Sequence, residues 1–317
     1  MWRLYPKLGP FDLSRCGYPL AMLNPERSLN RRLSDRLAGC RGIDPVSNAV
    51  QGVVRKVLAA AGAPVRNTLN GTWLGHPLHP LLTDIPIGAW TVTLALDTLT
   101  ALGRPSHERG ADAALAIGIA GAGAAAISGY ADWSDTADEP KRLGTIHALF
   151  NGGAMALYVG SFAARRSGRR DIGIALATAG YGLVSFAAYL GGELTFGMQL
   201  GVRHTAIPID PAEKYTPVLD EDALAPDELT RVELDGIPVV LLRTETGVHA
   251  LGAACTHRGA PLDEGTLEDG CVRCPWHGSL FAFEDGRVLE GPASFPQPRF
   301  EARVRSGKVE LRAIREI

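Results

Sequence analysis

Cys255-Thr256-His257 and, further along, Cys274-Pro275-Trp276-His277-Gly278 decide how the last third of this 317-residue chain must be read. Each box carries one thiol and one imidazole, spaced Cys-x-His and Cys-x-x-His. Thiolates suit one iron of a two-iron cluster, and neutral histidines on the other iron raise its potential above that of an all-cysteine centre. Zinc also accepts two cysteines and two histidines, but zinc fingers usually place the cysteines in one short motif and the histidines in another. One of each per box lets a single loop deliver a sulfur to one iron and a ring to the other. The spacing therefore favours a [2Fe–2S] cluster, with zinc as the alternative.

The flanks read as β structure. Residues 232–242 alternate and then run apolar like a strand, and 247–251 lead into the first box. After the second box, 280–283, the turn Glu284-Asp285-Gly286 and 287–289 read as a hairpin, and 300–311 as two closing strands around Ser306-Gly307. With these boxes and flanks, roughly residues 209–312 resemble the Rieske domain family, Gly291-Pro292-Ala293 matching its "GPA" loop. The resemblance implies a small antiparallel β domain with the cluster loops at one end, ligated by Cys255, His257, Cys274 and His277. It also implies departures from the high-potential members found in cytochrome bc complexes. Ala260 and Trp276 stand where those proteins have two further cysteines, so their disulfide is expected to be absent. Ser279 is retained and offers a hydroxyl to a cluster sulfur, whereas Phe281 replaces a second donor, a tyrosine. Donors to the sulfurs stabilise the reduced state, which predicts a potential above plant-type ferredoxins and below respiratory Rieske proteins. Cys271 reads as a half-buried strand cysteine and not a ligand. Cys16 and Cys40 fall in an unpatterned region, and nothing suggests a disulfide framework.

The rest of the chain has a different composition. Four apolar segments, 85–102, 113–131, 143–164 and 172–190, approach the ~20 residues a helix needs to cross a bilayer. Gly118, Gly121, Gly123 and Ala125 supply small residues at helical spacing, as in tightly packed membrane helices. A soluble Ala/Gly-rich bundle is the alternative. The stretch from Gly75-His76-Pro77-Leu78-His79-Pro80 to Gly88, with Asp132-Trp133 and His147, resembles a bacterial membrane family of unknown function over about residues 70–195, a resemblance that implies no activity. The expected architecture is multidomain α + β. Residues 1–70 form a poorly patterned basic region (Arg27, Arg31, Arg32, Arg36, Arg41) with an interfacial helix at 47–61. Residues 71–200 form a four-helix transmembrane bundle, and 209–317 the all-β Rieske domain. No cleavable signal peptide is read, and Met22 is an alternative start. A net charge of −2 gives no reason to invoke nucleic acid.

Four crossings would put His76, His79, Asp132, Trp133, His147, His204 and the β domain at one membrane face. Asp97, as an ionisable group mid-span, is expected to face the bundle interior. His79 and His147 are candidates for a b-type haem or a quinone, the alternative being that they satisfy neighbouring backbone groups. Arg165, Arg166, Arg169 and Arg170 would by the positive-inside rule lie in the cytoplasm, and the basic N-terminal region argues the opposite. A cytoplasmic Rieske domain on a bacterial cytoplasmic membrane is the expectation.

These readings favour a membrane-anchored carrier of single electrons between a redox donor and a protein partner or quinone, with no catalytic residues and no self-contained substrate site. The alternatives are a ferredoxin-type supplier of a separate oxygenase, or a membrane redox sensor. Only forty residues follow His277, none of them histidine, so the two-histidine, one-carboxylate iron of a complete Rieske oxygenase is not expected.

Overall fold

The computed structural model describes residues 29–205 and 214–314. Cys16, the alternative start at Met22, Arg27 and the boundary at 209 lie outside them. The N-terminal part is helical: α1 (Leu29–Ala38), α2 (Asp44–Asn70), α3 (Leu78–Ala101), α4 (Glu108–Ser134), α5 (Asp138–Arg166) and α6 (Arg170–Gly192), the last running into a π turn at Glu193–Gly197. The four expected segments correspond to α3–α6. The expectation of a four-helix unit is corrected to six helices among the described residues: α1 and α2 precede the four, and α2 contains the helix expected at 47–61. Two of the helices, Glu108–Ser134 and Arg170–Gly197, are long and apolar enough to cross a membrane by length and composition. The charged start of α5 (Asp138, Glu139, Lys141, Arg142) lowers its mean hydropathy despite its length.

Large side chains packing onto glycines draw the helices together. Trp90 lies against Gly118, where an added Cβ would come within 2.2 Å of its Nε1, and stacks on Tyr158 at 3.8 Å between ring centroids. At one end of the bundle Asp97 and Arg165 are both buried and ion-paired; Arg165 Nη1 also donates to Asp112 (3.1 Å), and Arg170 pairs with Asp112 (2.7 Å) and Glu108 (3.2 Å). Asp97 does face the interior, but in the last turns of α3 and not at mid-helix. Two of the four arginines of the 165–170 loop are thereby neutralised.

Helix α2 is inverted. Ser47 and Gln51 are buried: Ser47 bonds Thr145 Oγ1 (2.7 Å), and Gln51 Nε2 donates to the carbonyls of Trp133 (3.1 Å) and Thr136 (3.0 Å). Val46, Val53 and Val57 are exposed. Gly62 (φ 80°) and Pro64 break its line, and the remaining turn carries Arg66, Asn67 and Asn70 toward the β domain.

That domain is antiparallel throughout its two sheets. β1 (Thr216–Asp220), β2 (Thr230–Leu234), β3 (Ile237–Thr244), β4 (Gly247–Gly252), β9 (Arg299–Arg305) and β10 (Lys308–Ala313) form one sheet in the order β1-β10-β9-β4-β3-β2. β5 (Thr266–Glu268), β6 (Cys271–Arg273), β7 (Leu280–Ala282) and β8 (Val288–Glu290) form the other in sequence order. Val240, Leu242, Leu251, Leu262, Val272, Phe281 and Phe283 make the apolar core that includes both box cysteines. The single strand expected at 232–242 is two strands. Asp235 (φ 50°) and Gly236 (φ 80°) both take positive φ, as a two-residue primed turn requires, and fold β2 onto β3. Asp269-Gly270 does the same between β5 and β6, and Ser306-Gly307 between β9 and β10.

Candidate metal centre

Both boxes sit on loops of one design. The first leaves β4; Cys255 N–H donates to Ala260 O (2.8 Å) and Gly259 N–H to Cys255 O (2.7 Å). The second joins β6 to β7; Cys274 N–H donates to Ser279 O (2.8 Å) and Gly278 N–H to Cys274 O (3.1 Å). In each loop the glycine four residues after the cysteine turns the chain at positive φ, 73° at Gly259 and 75° at Gly278, a region glycine enters without strain. This shared Cys-x-x-x-Gly frame was visible in the sequence.

The loops present their donors in two pairs. Cys255 and Cys274 are buried and share a hydrogen bond. Cys274 is drawn down to about 6 by its bond from Cys255 and the backbone N–H groups of His277 and Trp276, against the cost of burial. Cys255 is pushed up by the same bond and by burial, with the N–H groups of His257 and Arg258 opposing. The imidazoles of His257 and His277 lie 4.9 Å apart, centroid to centroid, at 86°. The Nδ1 atoms of both are buried and have no hydrogen-bond partner among the described residues. Burial, then the charges of His277, Arg258 and His204, lower His257 to about 3; burial and the charges of Arg258 and Arg55 lower His277. Both rings are therefore neutral at physiological pH, the state a metal requires.

This donor set fits a two-iron cluster: two sulfurs together, two orphaned ring nitrogens together, and each sulfur flanked by two backbone donors. The split into a sulfur pair and an imidazole pair fits such a cluster better than one zinc ion, which gathers its four donors around a single position. Ser279 is fully buried, and its Oγ accepts Ala293 N–H (2.9 Å). Phe281 is also buried, and Cys271 opens β6, half-buried, away from the thiol pair.

The helical end closes over the site. His204 N–H donates to Thr256 O (3.1 Å), and Thr256 Oγ1 donates to Phe295 O (2.8 Å). Asp132 and Pro77 line a crevice with His257 and Arg258. A cavity of about 170 Å³ beside His277 is lined by Arg55, Arg66, Asn70, Ser134 and Asp135. His79 and His147 lie in the bundle. His79 Nδ1 meets Ala125 O (2.7 Å) and packs on Gly129. His147 Nδ1 meets Ala187 O (2.8 Å), packs on Gly191, and its Nε2 accepts from Asn151 Nδ2 (3.1 Å). His76 is bonded to Pro77 O (3.0 Å). Sequence reasoning missed Asn67, Asn70 and Arg66 at the joint, since nothing in the pattern of 1–70 pointed to a partner.

Fold and donor set together define a single Rieske-type [2Fe–2S] centre on a β domain joined to a helical region. Comparison with known proteins agrees: residues 214–301 match the Rieske [2Fe-2S] domain, and 75–204 match a predicted membrane protein family (DUF2231). Ferredoxin CarAc of Metapseudomonas resinovorans is 33% identical over 87 residues, which cover 27% of this chain and 81% of that protein. The chain belongs to the Rieske [2Fe-2S] family. It is also 37% identical over 89 residues to apoptosis-inducing factor 3 of Mus musculus, covering 28% of this chain but only 15% of that protein's length. Among solved structures, the ferredoxin of carbazole 1,9a-dioxygenase from Nocardioides aromaticivorans IC177 is 25% identical, covers 31% of this chain and 97% of its own, and superposes with a TM-score of 0.30.

Proposed function

We propose that this protein is a membrane-anchored one-electron carrier, with Cys255 and Cys274 on one iron and His257 and His277 on the other. When bound, the cluster supplies a one-electron couple of Rieske potential. The residues do the rest: the backbone N–H groups of both loops and the Ser279 hydroxyl steady the sulfurs' negative charge, and the buried rings stay neutral. The observation that carries the reading is the split of donors into a thiol pair and a pair of orphaned imidazole nitrogens. The electron-transfer role is supported by the ferredoxin relatives. By analogy with CarAc and the dioxygenase ferredoxins, the partner is a redox protein such as an oxygenase or a reductase.

The anchor is the helical region, 71–200, with α2 on its surface. Support comes from the two apolar helices, of whose span windows only 28% and 22% are buried; outward apolar faces such as Ile117 and Ile127 are out of place on a soluble protein. The valine face of α2 rests on the same bilayer. We read His79 and His147 as staples between helices, since both rings spend Nδ1 on a carbonyl of the neighbouring helix. The Rieske domain faces the cytoplasm: Arg165 and Arg170 are spent on Asp97, Asp112 and Glu108, leaving the basic N-terminal region with the stronger positive-inside claim.

A reduced-minus-oxidised optical spectrum and an EPR spectrum of detergent-purified protein test this together. A Rieske signal with only broad cluster bleaching is expected. A sharp b-type α-band would overturn the staple reading and make His79 and His147 haem ligands; absence of a [2Fe–2S] signal from iron-replete protein would sink the ligand set. Cys40 is exposed and lies beside α5's charged start, through Arg142 to Ala38 O and Asp44, at the β-domain end. Labelling of intact cells by a membrane-impermeant maleimide at Cys40 would refute the cytoplasmic orientation.

A further inference from the structure

We propose that Asn67, in the last turn of α2, is a positioning residue for the cluster: from the helical region it fixes the loop that aims the Ser279 hydroxyl. Asn67 lies outside both matched segments. β8 is the edge strand of its sheet, and edges leave backbone groups unpaired. The Asn67 carboxamide takes two of them in the manner of a neighbouring strand: Nδ2 donates to Leu289 O (2.9 Å), and Oδ1 accepts Gly291 N–H (2.8 Å). The approach is close. A Cβ on Gly291 would stand 2.9 Å from Asn70 Nδ2 and 3.3 Å from Thr72 Oγ1.

Two chains of contacts lead from this clamp to the second box. Thr72 Oγ1 donates to Ala293 O (3.3 Å), and Ala293 N–H donates to Ser279 Oγ (2.9 Å). An oxygen that accepts that N–H keeps its own proton to give, and among the described residues nothing takes it. In parallel, Arg66 pairs with Glu290 (3.4 Å), Glu290 with Arg273 (3.1 Å), and Arg273 Nη1 donates to Gly278 O (2.9 Å). The end of α2 thus holds both the loop behind Ser279 and the turn that carries Cys274 and His277. Freed from Asn67, the 289–293 loop lets the Ser279 donor drift, which disfavours the reduced, more negative cluster.

The inference rests on the proposed ligand set, and the test separates the two. Full-length N67A, S279A and the double variant are purified in detergent and titrated potentiometrically with EPR detection, alongside amide hydrogen exchange of residues 289–293. N67A is expected to exchange faster at Gly291 and Ala293 and to lower the reduction equilibrium constant up to tenfold, which is 59 mV for a one-electron couple. The double variant is expected to fall no further than S279A alone, the non-additivity of groups acting through one another. If N67A does not load iron, N67Q decides; its amide sits one methylene farther out and adds no charge, and a downward shift is again expected. The proposal is overturned if loaded N67A or N67Q keeps the wild-type potential and g-values while S279A shifts them, or if the two effects add in full. A wild-type protein without a Rieske signal would refute the ligand set instead, and the exchange data would still report on the clamp.

Discussion

Replacing His257 by cysteine tests the ligand set most directly. His257 is neutral at pH 7, since its ring is held at about 3, so a thiolate in its place adds a full negative charge to the site. The scale of the site is the 4.9 Å between the two imidazole centroids. A unit charge at that distance, with an effective dielectric of about 20, acts with about 3 kcal/mol. A tenfold change, about 1.4 kcal/mol, is 59 mV for one electron, so His257→Cys should lower the midpoint by about 150 mV. His277→Cys should do the same, and the double variant should fall by about 300 mV, the order of the gap between Rieske centres and all-cysteine plant-type ferredoxins. The assay is potentiometric titration of the iron-loaded variants followed by EPR, with iron and sulfide content measured in parallel. A loaded His257→Cys protein whose midpoint moves by less than about 30 mV, with unchanged g-values, would mean that His257 does not touch iron.

Three further perturbations address the scaffold. Asp97→Asn leaves the buried Arg165 guanidinium without its main counter-charge and should destabilise the bundle by about 3–5 kcal/mol, whereas the paired replacement D97L/R165M should come close to wild type in thermal unfolding in detergent; equal losses in both would refute the buried-pair reading. Gly118→Ala drives a methyl into Trp90 and should cost about 1–3 kcal/mol by overpacking, read as a lower unfolding temperature with a perturbed tryptophan spectrum. Glu301 is held below its ordinary 4.5 by hydrogen bonds from Tyr215 and then Arg312. Its contribution is therefore complete above pH 4.5 and is lost as pH falls below it. Glu301→Gln should flatten the acid limb of β-domain stability below about pH 4.5; an unchanged limb would show that other carboxylates control it.

How far the sequence carried the fold depended on whether a signal was local. The three β turns with positive φ at both central residues are written as Asp-Gly or Ser-Gly, and only Ser306-Gly307 was read at its value. Asp235-Gly236 was passed over because Val232 to Leu242 continues apolar on both sides, and an apolar run masks a turn inside it. The apolar segments α3–α6 were legible because long runs of apolar and small residues at helical spacing mark helices whatever covers their outer faces. Of the two helices before them, α2 contains the helix expected at 47–61, whereas α1 has no counterpart in the sequence reading. The packing of α2 uses Ser47 and Gln51, polar residues bonded to the Thr145 hydroxyl and to the carbonyls of Trp133 and Thr136, and no periodicity of hydrophobicity records such contacts.

The same inversion explains what could and could not be read at the site. Cys255, His257, Cys274 and His277 announce themselves because ligand chemistry restricts residue type; the turns at Gly259 and Gly278 are seen only in the structure, at positive φ. That the helix ends and the cluster loops share one face followed from counting crossings: Asp132 and Pro77 line a crevice with His257, and His204 N–H reaches Thr256 O beside it. Contact itself was beyond the count. It depends on Gly62 and Pro64 turning the end of α2 out of line, so that Arg66, Asn67 and Asn70 reach a sheet edge more than two hundred residues downstream. A helix with polar residues inward and valines outward has given up the usual soluble packing on both faces. Hydrogen-bonded neighbours satisfy the polar face, and the proposed bilayer would satisfy the valine face. His257 lines one crevice with Asp132 and Pro77, and His277 lines a cavity with Arg55, Asn70 and Asp135, so both rings look toward the helical region while Trp276 stays exposed.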